Sequence, residues 1–410
     1  MDLKTALYER LDRYARIDTQ SDDKSAAFPS TAKQLTLARL LAAELKRIGA
    51  KKVKLDGHGY VTAELPATVK GKKPVIGLLA HMDTAPDASG KGVRPQLHRA
   101  WKGGDIVISR KLGVILNEKN CPELALCRGE DIVTASGDTL LGADDKAGLA
   151  IIMTAAEHLI KHPEIPHGVL KIGFTPDEEV GQGVKFFNVK AFGADCAYTF
   201  DGDLAGAVEE ETFNADAVEI KVQGKSVHPG SAKNAMANAS RIAAEIVSSW
   251  PENMVPETTS GREGFIMFMD IAGETEKASV SGIVRDHDLK KLKAMERQLE
   301  AIVAAKRLKY PLAKIELSFK EQYRNMKGVI AGRPEVMRKL LAAVRRAGLE
   351  PRIKPVRGGT DGSRLSFMGL PTPNVFTGGY NYHGRYEWVS LDGMNKSAEV
   401  LINLARGWAE

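Results

Sequence analysis

Two short apolar runs, Val75-Ile76-Gly77-Leu78-Leu79-Ala80 and Val169-Leu170-Lys171-Ile172-Gly173-Phe174, limit the fold more than any other feature of the chain. Strands that read as near-continuous apolar stretches are buried on both faces, so a layer must cover each side; that is the position of a parallel sheet in an α/β fold. Helical spacing supplies those layers. Leu3, Leu7, Leu11 and Tyr14 recur every three or four residues, as do Leu37, Leu41, Leu45 and Ile48, and Asp145 to Lys161 has helical character between the two runs. The expectation is a mixed, mainly parallel sheet flanked by helices. Open sheets of this kind place their ligand sites at the carboxyl ends of the strands.

From about residue 211 the pattern changes. Val218 to Val222 alternates, Asn234 to Ser248 reads as a helix, and Phe265 to Ile271 and Ala278 to Val284 read as strands. Leu289 to Leu308 follows as a long amphipathic helix and Ile315 to Phe319 as a last strand. This β, α, β, β, α, β series is the signature of a split βαβ, ferredoxin-like α+β unit. After it the chain resumes helices at Pro334 to Arg346 and Met394 to Trp408. We therefore expect residues 1–210 and 322–410 to form one domain, with residues 211–321 inserted.

Composition excludes several classes. A chain of 410 residues, 43% apolar and 27% charged, is neither disordered nor a small stapled scaffold. The longest apolar run, Ala147 to Ala156, falls well short of the ~20 residues that span a bilayer. The first twenty residues carry charges throughout and lack the apolar core of a secretory signal, which predicts a cytoplasmic protein. The net charge of +6 is spread along the chain rather than focused on one basic tract, so neither nucleic acid nor a membrane is an expected partner. Cys121, Cys127 and Cys196 have neither redox-pair nor zinc-knuckle spacing.

Acidic residues and histidines cluster where these strands end. His81 and Asp83 follow the first buried run, and an imidazole that binds a metal needs an acceptor such as a nearby carboxylate to hold its other nitrogen. Asp144 and Asp145 open a helix, where either could be a cap, although a doubled Asp is more charge than a cap requires. Asp177, Glu178 and Glu179 follow the second run, and their mutual repulsion in a dry cleft must be offset by cations. Asp201 ends another apolar segment, and His383 stands in a Gly-rich aromatic loop. Five separate turns of this kind are hard to explain as ordinary turns.

Longer tracts carry a resemblance: LLGADDKAG from Leu140, TPDEEVG from Thr175, VHPG from Val227, RGGTDG from Arg357 and FTGGYNYHG from Phe376. The chain resembles the dizinc aminoacylase and carboxypeptidase superfamily of metallopeptidases, and within it the tripeptide aminopeptidases, nearly end to end. The resemblance implies two zinc ions per subunit, with manganese or cobalt as substitutes. His81 and Asp201 would hold one ion, Glu179 and His383 the other, and Asp144 would bridge them. Asp83 would orient His81, and the Asp144–Asp145 peptide would be cis. Glu178 would be the general base and acid, acting on a water shared by the metals. Two zinc ions, three carboxylates and one hydroxide sum to zero charge, so such a core can be buried.

The inserted unit would be a lid resembling modules that dimerise in relatives. In it His228 would face the intermediate, and Arg285 and Arg357 would bind the peptide carboxylate unless they serve as structural partners. Arg324, where relatives carry an aromatic, would alter substrate preference if it faced the cleft. The implied activity is release of the N-terminal residue from tripeptides. The alternatives are the same chemistry on another amide, by a dipeptidase, carboxypeptidase or N-acyl amino acid deacylase, or a catalytically dead metal-binding scaffold.

Overall fold

Ile76–His81 is buried along its whole length and Leu170–Thr175 along nearly all of it, as strands covered on both faces must be. A computed structural model describes residues 2–203 and 205–410. Both strands lie in an eight-stranded sheet of order Lys51–Leu55, Val61–Leu65, Leu170–Thr175, Ile76–His81, Cys196–Gly202, Asn374–Phe376, Ala207–Thr212 and Arg352–Val356. The four central strands run parallel. Antiparallel pairs flank them, Val61–Leu65 on Leu170–Thr175 and Ala207–Thr212 on Asn374–Phe376. The mainly parallel, helix-flanked sheet read from the sequence is therefore present.

The chain divides into two compact units. One comprises Met1–Glu210, Gly328–Lys354 and Thr360–Glu410, and the other Glu211–Lys327 and Pro355–Gly359. In the first, the helix Ala143–Lys161 packs on Ile76–His81 and Cys196–Gly202, and beside it lie the helices Leu3–Ala15 and Leu391–Ala409. The N-terminal helix starts where the Asp2 side chain accepts from the amides of Lys4 and Thr5. Its inner face buries Leu7, Leu11 and Tyr14, the residues whose spacing marked it as a helix. None of the described helices is long and apolar enough to cross a membrane.

In the second unit, Phe265–Gly273, Lys277–Asp286, Asn214–Gln223 and Lys314–Tyr323 form an antiparallel sheet in that spatial order. The helices Ala239–Val247 and Leu289–Lys309 pack on it around Val218, Ile220, Val222, Ile242, Ile246, Leu292 and Leu299. The first of these helices is shorter than its Ala-rich composition suggested. Asn238 caps it, accepting from the amide of Arg241 at 3.1 Å, and Asn234 stands at φ +60°, outside helical geometry.

One close approach fixes how the helix Ala143–Lys161 meets the carboxyl end of the central sheet in the first unit. A Cβ on Gly148 would lie 2.0 Å from the carbonyl oxygen of Phe200 and 2.3 Å from Oδ1 of Asp145. Only glycine lets the helix settle this near the end of the strand that carries Asp201. Gly148→Ala is therefore expected to cost about 1–3 kcal/mol of stability through overpacking. Chemical denaturation with unchanged midpoint would contradict that close packing.

Candidate metal centre

Strand register brings the acidic turns together. His81 pairs opposite Thr175 at the ends of two parallel strands, so the Asp177-Glu178-Glu179 turn begins beside it. Asp201 lies at the end of the next parallel strand, and Asp144 stands at a kink where the chain enters a helix. The peptide between Asp144 and Asp145 is cis, and neither residue has helical dihedral angles. His383 arrives on the loop after Gly379–Tyr380.

The two oxygens of Asp144 face different imidazoles. Oδ1 is 2.9 Å from Nε2 of His81 and Oδ2 is 3.2 Å from Nε2 of His383. The His81 Nε2 atom is also 3.4 Å from Oδ1 of Asp201, and the His383 Nε2 atom 2.9 Å from Oε2 of Glu179. The cluster thus has two halves, His81 with Asp201 and His383 with Glu179, that share one carboxylate. The second oxygen of Glu179, Oε1, is buried and has no hydrogen-bond partner among the described residues. Ligand atoms of His81, Asp144 and Glu179 lie within 4.8 Å of one another, as do those of His81, Asp145 and Asp201.

The electrostatics follow from crowding charge in a dry place. Burial, then the charge of Asp201, pushes the Glu178 carboxyl well above its ordinary range. Burial and the charge of Asp144 raise Glu179 to about 8, and burial raises Asp201 to about 6. Burial acts on Asp144 in the same direction, but hydrogen bonds from His383 and His81 outweigh it and hold this carboxylate below the usual range. Burial works against a charged His383, yet its bonds to Asp144 and Glu179 raise it to about 11. Such a site demands positive charge. Its donors are imidazole nitrogens and carboxylate oxygens without thiolate, and one buried oxygen is unsatisfied; that set fits a pair of borderline-hard divalent cations.

The surplus acids have separate tasks. Asp145 turns away from Asp144: Oδ2 accepts the amide of His81 at 3.1 Å, and Oδ1 accepts that of Gly148 at 3.1 Å, capping the helix proper. Cap and cluster were competing explanations of the Asp pair, and the two residues divide them. Asp177 likewise leaves the cluster, at φ +58°, and accepts from the amide of Ser30 at 2.5 Å, the hydroxyl of Ser30, and Nε2 of Gln34 at 2.6 Å. Asp83 lies with Oδ1 3.4 Å from Nδ1 of His81, while its own carbonyl oxygen is nearer, at 3.1 Å. Its carboxylate accepts the amides of Glu178 at 2.9 Å and Glu179 at 3.1 Å, so it ties the glutamate turn to the histidine strand.

Sequence reasoning did not select two further buried acids. The amide of Asp361 donates to Oε1 of Glu178 at 3.2 Å, and the carboxylate of Asp361 accepts from the Thr175 hydroxyl at 2.7 Å. Glu387 accepts the amides of Leu141, Gly142 and Asp144. Each is a single acid outside the paired and tripled acidic runs that marked the turns, although Glu387 follows His383 by four residues. The tract that contains Asp361 was the only signal for it, and Glu387 had none.

The substrate-binding candidates belong to the second unit. His228 is exposed and its Nδ1 accepts the amide of Gly230 at 3.1 Å, so the neutral ring carries its proton on Nε2. Arg285 is half-buried, and its Nε is buried without a partner among the described residues. Arg357 is differently placed: Nη1 donates to the carbonyl oxygens of Gly261 and Glu263, Nη2 to Thr259, and the guanidinium lies over the rings of Phe213 and Phe265. Those bonds commit it to the Thr259–Glu263 loop, the structural alternative to carboxylate binding. Arg324 is similarly occupied, by buried Asp216 at 2.5 Å in an ion pair and by the carbonyl of Ala215.

Asp177→Ala would strip an acceptor from the Ser30 amide, the Ser30 hydroxyl and Gln34 together. It is expected to cost about 1–3 kcal/mol of stability, the penalty of unsatisfied buried donors, and to leave metal content unchanged. Loss of metal in that variant would place Asp177 in the cluster and contradict this division of the three acids.

Comparison with known proteins agrees with the chemistry of the site. Residues 140–407 match Peptidase family M20/M25/M40. Peptidase T of Clostridium perfringens is 48% identical over 404 residues, covering 98% of this chain and 99% of the relative. A tripeptidase structure from Staphylococcus aureus superimposes with a TM-score of 0.78 at 20% identity, covering 99% of this chain and 98% of that one. A Bacillus subtilis structure described as a dinuclear metal-binding peptidase of the M20 family gives 0.66 at 14% identity, with 98% of each chain covered. At those identities the two structures speak to the fold. The chain belongs to Peptidase family M20/M25/M40 and, within it, to the peptidase T group of metallopeptidases.

Proposed function

We propose that this metallopeptidase holds two zinc ions and releases the N-terminal residue from tripeptides. The observation that carries the reading is the Asp144 carboxylate, whose oxygens face His81 and His383 at 2.9 and 3.2 Å, each imidazole with a further carboxylate beside it. In this reading His81 and Asp201 hold one ion, Glu179 and His383 the other, and Asp144 both. The dinuclear description of the Bacillus subtilis relative and the tripeptidase description of the Staphylococcus aureus one support it. When bound, the ions would act as Lewis acids toward the scissile carbonyl and lower the pKa of a water toward neutrality; manganese or cobalt would serve in place of zinc.

The protein's own groups do the rest. Glu178 is the base: the Asp361 amide fixes one of its oxygens, and burial raises its proton affinity above that of an ordinary carboxyl, which favours its taking up a proton. It takes a proton from the attacking water and returns it to the leaving amine. Asp83 sets the glutamate turn against His81 through the Glu178 and Glu179 amides. The resemblance carries a lid role for residues 211–321, in which His228 would offer its Nε2 proton to the oxyanion and Arg285, whose Nε has no partner among the described residues, would bind the peptide carboxylate. Arg357 supports that unit through the 259–263 loop. A cytoplasmic location and a homodimer belong to the same reading.

Mass analysis of products from a tripeptide, its N-acetylated form and a dipeptide, before and after chelation and zinc return, tests it. Metal-dependent release of the N-terminal residue from the free tripeptide alone is the expected result. Equal or faster cleavage of the acetylated peptide would instead favour a deacylase-like or carboxypeptidase-like relative. Glu178→Gln should retain both ions and lower kcat by about 10²–10⁴-fold; near-full activity would remove Glu178 from its role.

A further inference from the structure

Glu387 has no part in the reading above, although it is 1% exposed and lies beside its central residue. Its Oε2 accepts the amides of Leu141 at 2.7 Å and Gly142 at 2.8 Å, and its Oε1 accepts the amide of Asp144 at 3.1 Å. These donors occupy the lead-in to the helix Ala143–Lys161, where Gly142 stands at φ +77° and Asp144 is non-helical. Without a regular turn to satisfy them, the buried amides need an outside acceptor. A single carboxylate supplies it.

The position of that carboxylate in the chain adds to the argument. Glu387 closes a turn on Gly384, donating its amide to the Gly384 carbonyl oxygen at 3.1 Å, and His383 precedes that turn. One short segment therefore grips Asp144 at both ends, through its side chain by His383 and through its amide by Glu387.

We propose that Glu387 is a positioning residue of the metal centre: by holding the Leu141, Gly142 and Asp144 amides it fixes where the Asp144 carboxylate stands between His81 and His383, and so sets metal affinity. This inference rests on the reading of Asp144 as the shared ligand. Glutamine preserves the shape but replaces one accepting oxygen with an NH₂ donor. In either orientation at least one main-chain N–H then meets a donor, and the loop must shift. Loss of a group that orients a ligand weakens metal affinity by about 10- to 100-fold.

The test uses wild type, Glu387→Gln, Glu387→Asp and Asp144→Ala, each stripped of metal and shown folded by circular dichroism. Zinc is titrated against a chromophoric chelator, and cobalt binding is followed by visible absorption. Wild type should bind two ions and Asp144→Ala should lose the pair. Glu387→Gln should bind at least one ion about 10- to 100-fold more weakly, with altered cobalt bands and with kcat reduced more than KM is raised. Glu387→Asp, which keeps the carboxylate, should recover part of the affinity, and it decides the question by the same criteria if the glutamine variant does not fold. Wild-type affinities and cobalt spectrum in Glu387→Gln would overturn the positioning role. Retention of both ions by Asp144→Ala would overturn the shared-ligand reading beneath it.

Discussion

The Asp144 carboxylate reaches two imidazoles at once, with its oxygens 2.9 Å and 3.2 Å from the Nε2 atoms of His81 and His383. A carboxylate can do this only if its backbone is held so that neither oxygen turns back to cap the helix behind it. Asp145 takes over the cap, with Oδ1 on the Gly148 amide, and its other oxygen holds the His81 amide. The close seat of Gly148 on the Phe200 carbonyl oxygen then brings the helix start to the strand that ends in Asp201. Placement of the Asp144 carboxylate and core packing are thus one constraint.

The same arrangement accounts for the density of buried acid. Burial raises the proton affinity of these carboxyls, and the nearby charge of Asp144 adds to it, placing Glu179 at about 8 and Asp201 at about 6. A fold tolerates that arrangement where cations or well-aimed donors answer it. Asp83, Asp145, Asp177 and Glu387 are answered by main-chain amides and side-chain donors of the protein. Asp144, Glu179 and Asp201 face imidazoles instead, and one buried oxygen of Glu179 is unsatisfied among the described residues. That contrast separates the scaffold acids from the proposed ligands.

Much of the architecture was legible in the sequence because its signals are long or repeated. The apolar runs at 75–80 and 169–174 are buried parallel strands, and the heptad-like leucines of the first helix face the core. The tracts around Asp144, Glu178 and His383 drew attention to residues that the fold brings within bonding distance. The division of labour within the acid pairs was not legible, because it depends on φ at Asp177 and on which amides each carboxylate meets. Glu387 was invisible for a related reason: its partners lie about 245 positions away in the chain. The small sheet of Gln96–His98, Ile132–Thr134, Gly379–Tyr380 and Trp388–Ser390 also escaped, since strands of two or three residues are too short to display a period. Arg357 shows a limit of motif reasoning, for an arginine in a conspicuous tract here spends its donors on a loop of its own unit.

The central claim is that one carboxylate serves two metal ions. Anomalous diffraction at the zinc absorption edge from crystals of the zinc-loaded protein addresses it directly. The account predicts two peaks that share Asp144, one beside His81 and Asp201 and the other beside Glu179 and His383. A single peak, or two ions of which only one touches Asp144, would contradict it.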